Sequence, residues 1–258
     1  MRKNAAILTV STLVLGVFGA FFRWLQNAGG FDPESGLPVP GSAINVIALV
    51  YCVLAVAVIL ALSLGWLRRY SCAQDCSALR SRTVLPVALG WLFGLCFAVS
   101  SCVVLLFAGF GKYPTLQRLL GAFGILAGLC FPFLPAKPAG SAYAISRTAA
   151  AFCTLFFCFW LVFSYRLNAN NPVRWAFAPE ILALAAAAVA FYYAAAFHFG
   201  AGTGSRALVA LQLAVFFNTA TLFETRTVPM TLMFLAATVM LVTLEYLVLE
   251  NLREPEQG

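Results

Sequence analysis

The chain has 258 residues, of which 62% are hydrophobic and only 10% are charged, and its mean hydropathy is +0.92. Soluble domains carry about 25% charged residues, so this composition excludes a water-soluble fold and leaves no room for a large extramembrane domain. The net charge of +7 comes from basic residues scattered over loops and helix ends. Such charges are typical of proteins that are oriented in a membrane and contact anionic lipids, so we predict membrane lipids as partners and no nucleic acid.

Apolar segments in chain order predict an all-α integral membrane protein. A helix needs about 20 apolar residues to cross a hydrocarbon core about 30 Å thick. The sequence therefore predicts one transmembrane domain over residues 1–258, a bundle of about eight transmembrane helices with short loops. The predicted spans cover residues 5–25, 42–67, 84–109, 115–134, 141–167, 178–199, 205–223 and 229–251.

The first span resembles a signal peptide, because Arg2 and Lys3 precede it. An aromatic and basic anchor, 21–24, follows it instead of a cleavage site, which predicts an uncleaved helix. The next loop, Asn27–Gly41, holds Asp32 and Glu34 among Gly and Pro residues that favour turns. A lipid-modifying enzyme would use such a pair of acids, but a solvated acidic loop is the favoured interpretation.

The second and third spans flank the Arg68–Thr83 loop, which carries four arginines and one acid, Asp75. Cytoplasmic loops are rich in Lys and Arg. With the amino terminus inside, ten Lys and Arg residues lie inside and six outside. We therefore predict a multi-pass protein of the plasma membrane, as in a bacterial inner membrane, with both termini cytoplasmic. The same loop is a candidate docking surface for a cytosolic partner.

Of the eight cysteines, six fall inside apolar segments, where Cys behaves as a small hydrophobic residue. The other two, Cys72 and Cys76, share the basic loop, which we place in the reducing cytosol. A C-x3-C pair supplies only two of the four ligands of a structural zinc site. We predict ordinary thiols there, and no metal or other cofactor.

Small and aromatic residues in the middle of the chain indicate helix contacts. Glycines four residues apart, at Gly90–Gly94 and Gly124–Gly128, present faces on which neighbouring helices can approach closely. The fifth span carries an aromatic stripe, which is interpreted as packing or lipid contact, with the wall of a site for a flat apolar ligand as the alternative. The stripe consists of Phe152, Phe156, Phe159 and Phe163. Pro179 followed by Glu180 predicts the start of the sixth helix and a structural role for that acid.

The seventh span is the most polar, with Gln212, Asn218 and Thr219, and the eighth contains Glu245 near its inner end, where the side chain can snorkel to the interface. Unsatisfied amides are costly in hydrocarbon. These four residues are the candidate ligand-binding set. Hydrogen bonding between helices, without any ligand, explains the same residues equally well.

The two halves share a loop plan, and the ends of spans one and five resemble each other, with Phe22-Arg23 in one and Tyr165-Arg166 in the other. This pattern predicts a 4+4 parallel pseudo-repeat. Chance similarity of loop lengths explains it about as well.

Several chemistries are excluded by missing residues. The chain has one histidine, His198, and only two aspartates, neither within a span. It contains no H-E-x-x-H, G-x-S-x-G or Walker motif. The sequence therefore favours a non-enzymatic role, and no catalytic residue is predicted. The leading hypothesis is a small permease or ligand-binding membrane module; the alternative is a scaffold, sensor or anchor subunit, and a lipid-modifying enzyme is the least favoured.

Overall fold

The computed structural model describes residues 2–32, 35, 37–67, 70, 72–110, 112–135, 142–169 and 174–252, and these residues form eight α-helices and no β-strand. The helices are α1 (Arg2–Gly29), α2 (Ala43–Leu67), α3 (Leu85–Leu106), α4 (Pro114–Cys130), α5 (Ala142–Asn168), α6 (Arg174–His198), α7 (Gly204–Ala220) and α8 (Val228–Glu250). Short 3₁₀ helices lie at Cys76–Leu79, Ala108–Phe110 and Phe131–Phe133. The predicted class, an all-α membrane bundle of about eight helices, is confirmed.

Seven of the helices, all except α7, are long and apolar enough to cross a membrane; α4 reaches this length together with the 3₁₀ helix that continues it to Phe133. α7 has 17 residues, which at 1.5 Å per residue gives a length of about 25 Å. It nevertheless runs back alongside α6, because Pro179 near the start of α6 and Ala220 at the end of α7 line the same cavity. Most of its side chains are buried against α1, α6 and α8, so α7 needs little lipid-facing length.

The two ends of the described chain lie at one end of the bundle. Ala5 and Leu8 of α1 pack with Leu208 of α7 and Leu249 of α8, and Tyr70 after α2 packs against the same group. We call this the basic end, because the described part of the α2–α3 loop, which carries Arg80 and Arg82, lies there. The described chain therefore runs along the bundle an even number of times, and eight membrane crossings with both termini on one side stay a prediction.

The close approach of α3 and α4 is confirmed at the predicted glycines. A Cβ atom added to Gly94 would lie 2.5 Å from Gly128 O, and one added to Gly128 would lie 2.6 Å from Gly94 O. A Cβ atom on Gly124 would lie 2.4 Å from Ser101 Oγ. Any side chain at these positions would push the two helices apart, so the glycines set the distance between them.

The aromatic stripe of α5 is packing. Phe156 and Phe163 are buried in the core, where the ring of Phe156 meets that of Phe97 edge to face at 5.6 Å. Phe152 and Phe159 contact the ring of Phe123 on α4. The four rings therefore pack against protein, and the alternative of a ligand-binding wall receives no support.

The predicted start of the sixth helix is wrong. α6 begins at Arg174, so Pro179 lies inside the helix and Glu180 in its second turn. A proline this close to the start removes only one of the helical hydrogen bonds, which the structure tolerates. Glu180 is structural, as predicted, but through contacts with neighbouring elements rather than as a residue of the first turn.

The two halves of the bundle pack differently. α6 lies along α7, whereas α2 packs against α1 and α7 and α3 packs against α4 and α8. α6 and α7, the second and third helices of the second half, therefore pack together, whereas their counterparts α2 and α3 in the first half pack on other helices. The contacts give the 4+4 pseudo-repeat no support.

Candidate functional site

Two of the predicted site residues meet inside the bundle. Gln212 of α7 and Glu245 of α8 are joined there by Thr12 of α1 and Ser63 of α2, and all four side chains are buried. Thr12 Oγ1 lies 3.1 Å from Glu245 Oε1, and the Gln212 side chain lies beside the same carboxyl group. The Ser63 hydroxyl donates to Gln212 Oε1. We call these four residues the polar cluster.

Glu245 does not snorkel. Its side chain is 0% exposed, because α8 is surrounded by α1, α3 and α7. Its Oε2 atom is buried without a hydrogen-bond partner among the described residues. The expectation of a carboxylate that reaches the interface is therefore wrong, and the acid lies in the protein interior.

Asn218 and Thr219 lie away from the polar cluster. Asn218 Nδ2 donates to Ala183 O of α6 at 3.0 Å and to Ala214 O of its own helix at 2.9 Å. Thr219 donates to Val215 O and packs on α1, where a Cβ atom on Gly16 would lie 2.6 Å from Thr219 Cβ. These two residues join α7 to α6 and to α1, which is the role of interhelical contacts.

A cavity of about 410 Å³ lies at the end of the bundle opposite the basic end, between α1, α2, α6, α7 and the α1–α2 loop. The sequence did not predict it, because its walls are mostly ordinary apolar residues from these five elements. The residues that line it are Gly19, Phe22, Arg23, Gln26, Pro38, Val39, Pro40, Gly41, Ser42, Asn45, Val46, Ala48, Leu49, Tyr51, Cys52, Ala178, Pro179, Leu182, Phe216, Phe217, Ala220 and Thr221.

The polar atoms of the cavity are few. Gln26 Oε1 accepts a hydrogen bond from Arg23 at 2.6 Å, and the Tyr51 hydroxyl donates to Leu15 O at 2.6 Å. Asn45 Nδ2 donates to Gly30 O, whereas Asn45 Oδ1 is buried and has no partner among the described residues. The cavity is therefore mainly apolar, with a small group of polar side chains at its outer end.

Two ion pairs fix the α7–α8 connection beside the cavity. Arg23 Nε of α1 lies 2.5 Å from Glu224 Oε1, and Arg226 Nε lies 2.9 Å from Glu180 Oε2 of α6. Ser164 of α5 donates to Glu180 at 2.5 Å. The arginines are each 7% exposed. Sequence reasoning missed both pairs; the only signal was the alternation of charge in Glu224-Thr-Arg226.

The α1–α2 loop covers the cavity, and Asp32 stabilises a turn in it. Asp32 Oδ2 accepts hydrogen bonds from the backbone N–H of Ser35 at 3.0 Å and from its hydroxyl at 2.5 Å. An isolated antiparallel bridge joins Phe31 to Pro38. Glu34, the other acid of the proposed enzymatic pair, lies outside the described residues. The contacts of Asp32 are those of a turn residue.

The basic loop packs against the bundle. Ala78 and Leu79 are fully buried, and Asn251 Nδ2 donates to Ala78 O at 3.1 Å and to Arg80 O at 2.9 Å. Arg68 and Arg69 lie outside the described residues, while the side chains of Arg80 and Arg82 are exposed. A cytosolic partner at the Arg68–Thr83 loop remains a prediction, with these two arginines as its described basic surface.

Cys72 of this loop has a perturbed thiol. The residue is half-buried against Gly204, where a Cβ atom would lie 2.0 Å from Cys72 Cβ. Burial, and to a lesser extent the charge of Asp75, raises the pKa of Cys72 to about 11. Because the thiolate is the reactive form, Cys72 is a weak nucleophile at neutral pH.

Among the described residues, no group of three His, Cys, Asp or Glu side chains could hold a metal ion. The one histidine is buried, with Nε2 3.0 Å from Leu134 O. Comparison with known protein families, curated proteins and solved structures gives no match. The function must therefore be inferred from the cavity and the polar cluster themselves.

Proposed function

We propose that this protein is a ligand-binding membrane module that holds an apolar or amphipathic molecule in the cavity between α1, α2, α6 and α7. The cavity itself carries the proposal. Its volume of about 410 Å³ falls within the roughly 300–1,000 Å³ of small-molecule sites. Its mostly apolar walls and few polar groups have the composition of such a site.

The ligand is expected to enter from the bilayer. α2 packs against α1 and α7, and α6 packs against α5 and α7, so α7 forms the back of a groove between α2 and α6. The rim of the groove carries Val46, Leu49 and Leu182, whose side chains are 58%, 50% and 50% exposed. Large apolar side chains with this exposure in a membrane protein face lipid. A molecule dissolved in the bilayer would therefore reach the cavity without crossing water.

The polar end of the cavity favours an amphipathic ligand with a small, uncharged or weakly polar head group. Arg23 is neutralised by Glu224, so the site offers no excess positive charge for a strong anion. Gln26 and Asn45 place amide groups, each with an acceptor oxygen, among the residues that line the outer end of the cavity. A hydrogen-bond donor next to an apolar chain is the matching chemistry.

Binding, rather than transport, is proposed because an apolar cluster separates the cavity from the polar cluster. Phe216 lines the cavity and packs on Ala55 and Ile59 of α2, all three of them buried. Ser63 of the polar cluster is one turn further along α2. We further propose that the basic end faces the cytoplasm, by the positive-inside rule, in the plasma membrane of a bacterium. The cavity then opens to the outer leaflet.

The experiment is photocrosslinking of the purified protein in lipid nanodiscs with a photoactivatable fatty acid. Ala48 lines the cavity, so Ala48→Trp should fill it and abolish labelling of peptides from α2 and α6 at the cavity. Ala57 is an exposed residue of the same helix outside the cavity. Ala57→Trp, the matched control, should label as the wild type does.

Equal labelling of Ala48→Trp and wild type, with both proteins equally stable, would refute the proposed site. Unlabelled lipid present in excess should compete in the wild type, which distinguishes a saturable site from general partition into the bilayer. Labelling that excess ligand fails to reduce would count against the proposal.

A further inference from the structure

We propose that Glu245, together with Thr12 and Gln212, forms a proton-binding site inside the bundle, and that Glu245 holds a proton there at neutral pH. The site is distinct from the cavity, and the inference does not rest on ligand binding. It rests on the burial of the carboxyl group, on its partners and on the number of hydrogens that these partners can supply.

A carboxylate at this position would be uncompensated. Glu245 is 0% exposed, and an ionised carboxylate taken out of water without an opposite charge is very costly, so such a group is paired, binds a cation or takes up a proton. The described polar neighbours of the Glu245 carboxyl group, the hydroxyl of Thr12 and the amide of Gln212, are both neutral. The described salt bridges, Arg23–Glu224 and Arg226–Glu180, lie at the opposite end of the bundle.

The other titratable groups around α8 do not compensate Glu245 either. α1, from Ala5 onward, brings only Arg23, at the opposite end, and α3 brings Cys96 and Cys102. α7 brings Arg206, which is exposed at its first turn. The remaining groups on α8 and on the elements packed against it whose side chains the structure describes are Asp75, Cys76, Glu180, Tyr192, Tyr193, His198, Tyr246 and Glu250. None of them is a described hydrogen-bond partner of Glu245.

The hydrogen count at Thr12 fits the protonated acid. Thr12 Oγ1 lies 3.1 Å from Leu8 O of its own helix and 3.1 Å from Glu245 Oε1. A threonine hydroxyl has one hydrogen, so it can donate fully to only one of these two oxygens. When Glu245 carries a proton, the acid donates to Thr12 Oγ1 and Thr12 donates to Leu8 O. Both contacts are then hydrogen bonds.

One further buried polar atom lies between this site and the basic end. Thr9 lies three residues before Thr12 and therefore on a similar face of α1, and its buried Oγ1 atom has no partner among the described residues. Thr9 is about one turn closer to the basic end than Thr12. We therefore infer that the proton of Glu245 exchanges with the basic end rather than with the cavity.

The test is infrared spectroscopy of the wild type and of Glu245→Gln in lipid nanodiscs. We expect the wild type at pH 7 to show the C=O stretching band of a buried, protonated carboxylic acid, and Glu245→Gln to lack it. Glu180→Gln is the matched control, because Glu180 is ion-paired with Arg226 and should contribute no such band. Raising the pH should remove the wild-type band reversibly.

A wild type without the band, or a band that persists in Glu245→Gln, would overturn the proposal. Loss of the band when choline is replaced by sodium at constant pH would assign the site to a metal cation and would also overturn it. If Glu245→Gln does not fold, Thr12→Val provides the second measurement. The band should then remain but shift in frequency, because the bond to Thr12 is lost, and an unshifted band would contradict the assigned partner.

Discussion

The contact between α3 and α4 gives the sharpest prediction for stability. At Gly128, a Cβ atom would lie 2.6 Å from Gly94 O and 2.7 Å from Ala98 N. Both neighbours are backbone atoms, so no flexible side chain can move aside. We expect Gly128→Ala to force the two helices apart, at a cost in the roughly 1–3 kcal/mol range of overpacking.

A matched control isolates this packing cost. Gly65 lies in α2, where an added Cβ atom would meet nothing within 4 Å. Replacing a helical glycine by alanine stabilises a helix by roughly 0.5–1 kcal/mol, and this gain applies to both substitutions. Gly65→Ala should therefore be slightly more stable than the wild type. The difference between the two variants should equal the overpacking cost.

The assay is reversible unfolding of the purified protein in mixed micelles, with increasing sodium dodecyl sulfate and helix content as the signal. Gly128→Ala should unfold at a lower detergent fraction than the wild type, and Gly65→Ala at the same or a higher one. Equal free energies of unfolding for the two variants would refute the reasoning, because it would mean that Gly128 faces lipid or that α4 moves without cost.

Four further predictions concern the Glu180–Arg226 ion pair, the Asn218 amide, the Cys72 thiol and the orientation of the basic loop. Glu180→Gln should lower the free energy of unfolding by roughly 3–5 kcal/mol, the cost of leaving a buried charge such as that of Arg226 unpaired; a loss below 1 kcal/mol in the same assay would contradict this. Asn218→Leu should cost only about 0.6 kcal/mol, and at most about 2, since one interhelical hydrogen bond is lost; a larger loss would indicate a role beyond the contact with α6. Because the pKa of Cys72 is raised to about 11, its alkylation, followed by peptide mass spectrometry, should be slow at pH 7 and should still be increasing at pH 10; a plateau near pH 9 would show an ordinary thiol. Arg82→Cys, at an exposed position, should react with an impermeant maleimide only after cell lysis, and labelling in intact cells would reverse the proposed orientation.

Sequence reasoning was most successful where the signal is local. The helices, their approximate bounds and the glycine contact between α3 and α4 follow from the length of apolar segments and the spacing of small residues. Its errors came from long-range contacts. Pro179 marked a helix start by local rules, yet α6 begins at Arg174, and Glu180 is held by Ser164 and Arg226.

The candidate site was predicted only in part. Gln212 and Glu245 do meet, whereas Asn218 and Thr219 point to other helices. Nothing in the sequence indicated that Thr12 and Ser63 would contact Gln212 and Glu245. Single hydroxyl groups are common in apolar helices, and they usually hydrogen bond to a backbone carbonyl of their own helix. The cavity gave no signal, since its walls come from segments far apart in the chain.

The amino-acid sequence alone is enough to predict a membrane bundle, because crossing the bilayer depends on the length and polarity of each segment taken separately. Which helix faces lipid and which lies inside depends on how the helices pack. α2 and α8 are both strongly apolar, with mean hydropathies of 2.9 and 2.2. Yet 17% of the most apolar stretch of α2 is buried inside the protein, compared with 72% of that of α8. The physical reason is that lipid tails are as apolar as a protein core. Hydrophobicity therefore cannot distinguish the two surroundings, and the packing that places Glu245 beside Thr12 and opens a cavity beside α2 depends on shape and on a few polar contacts.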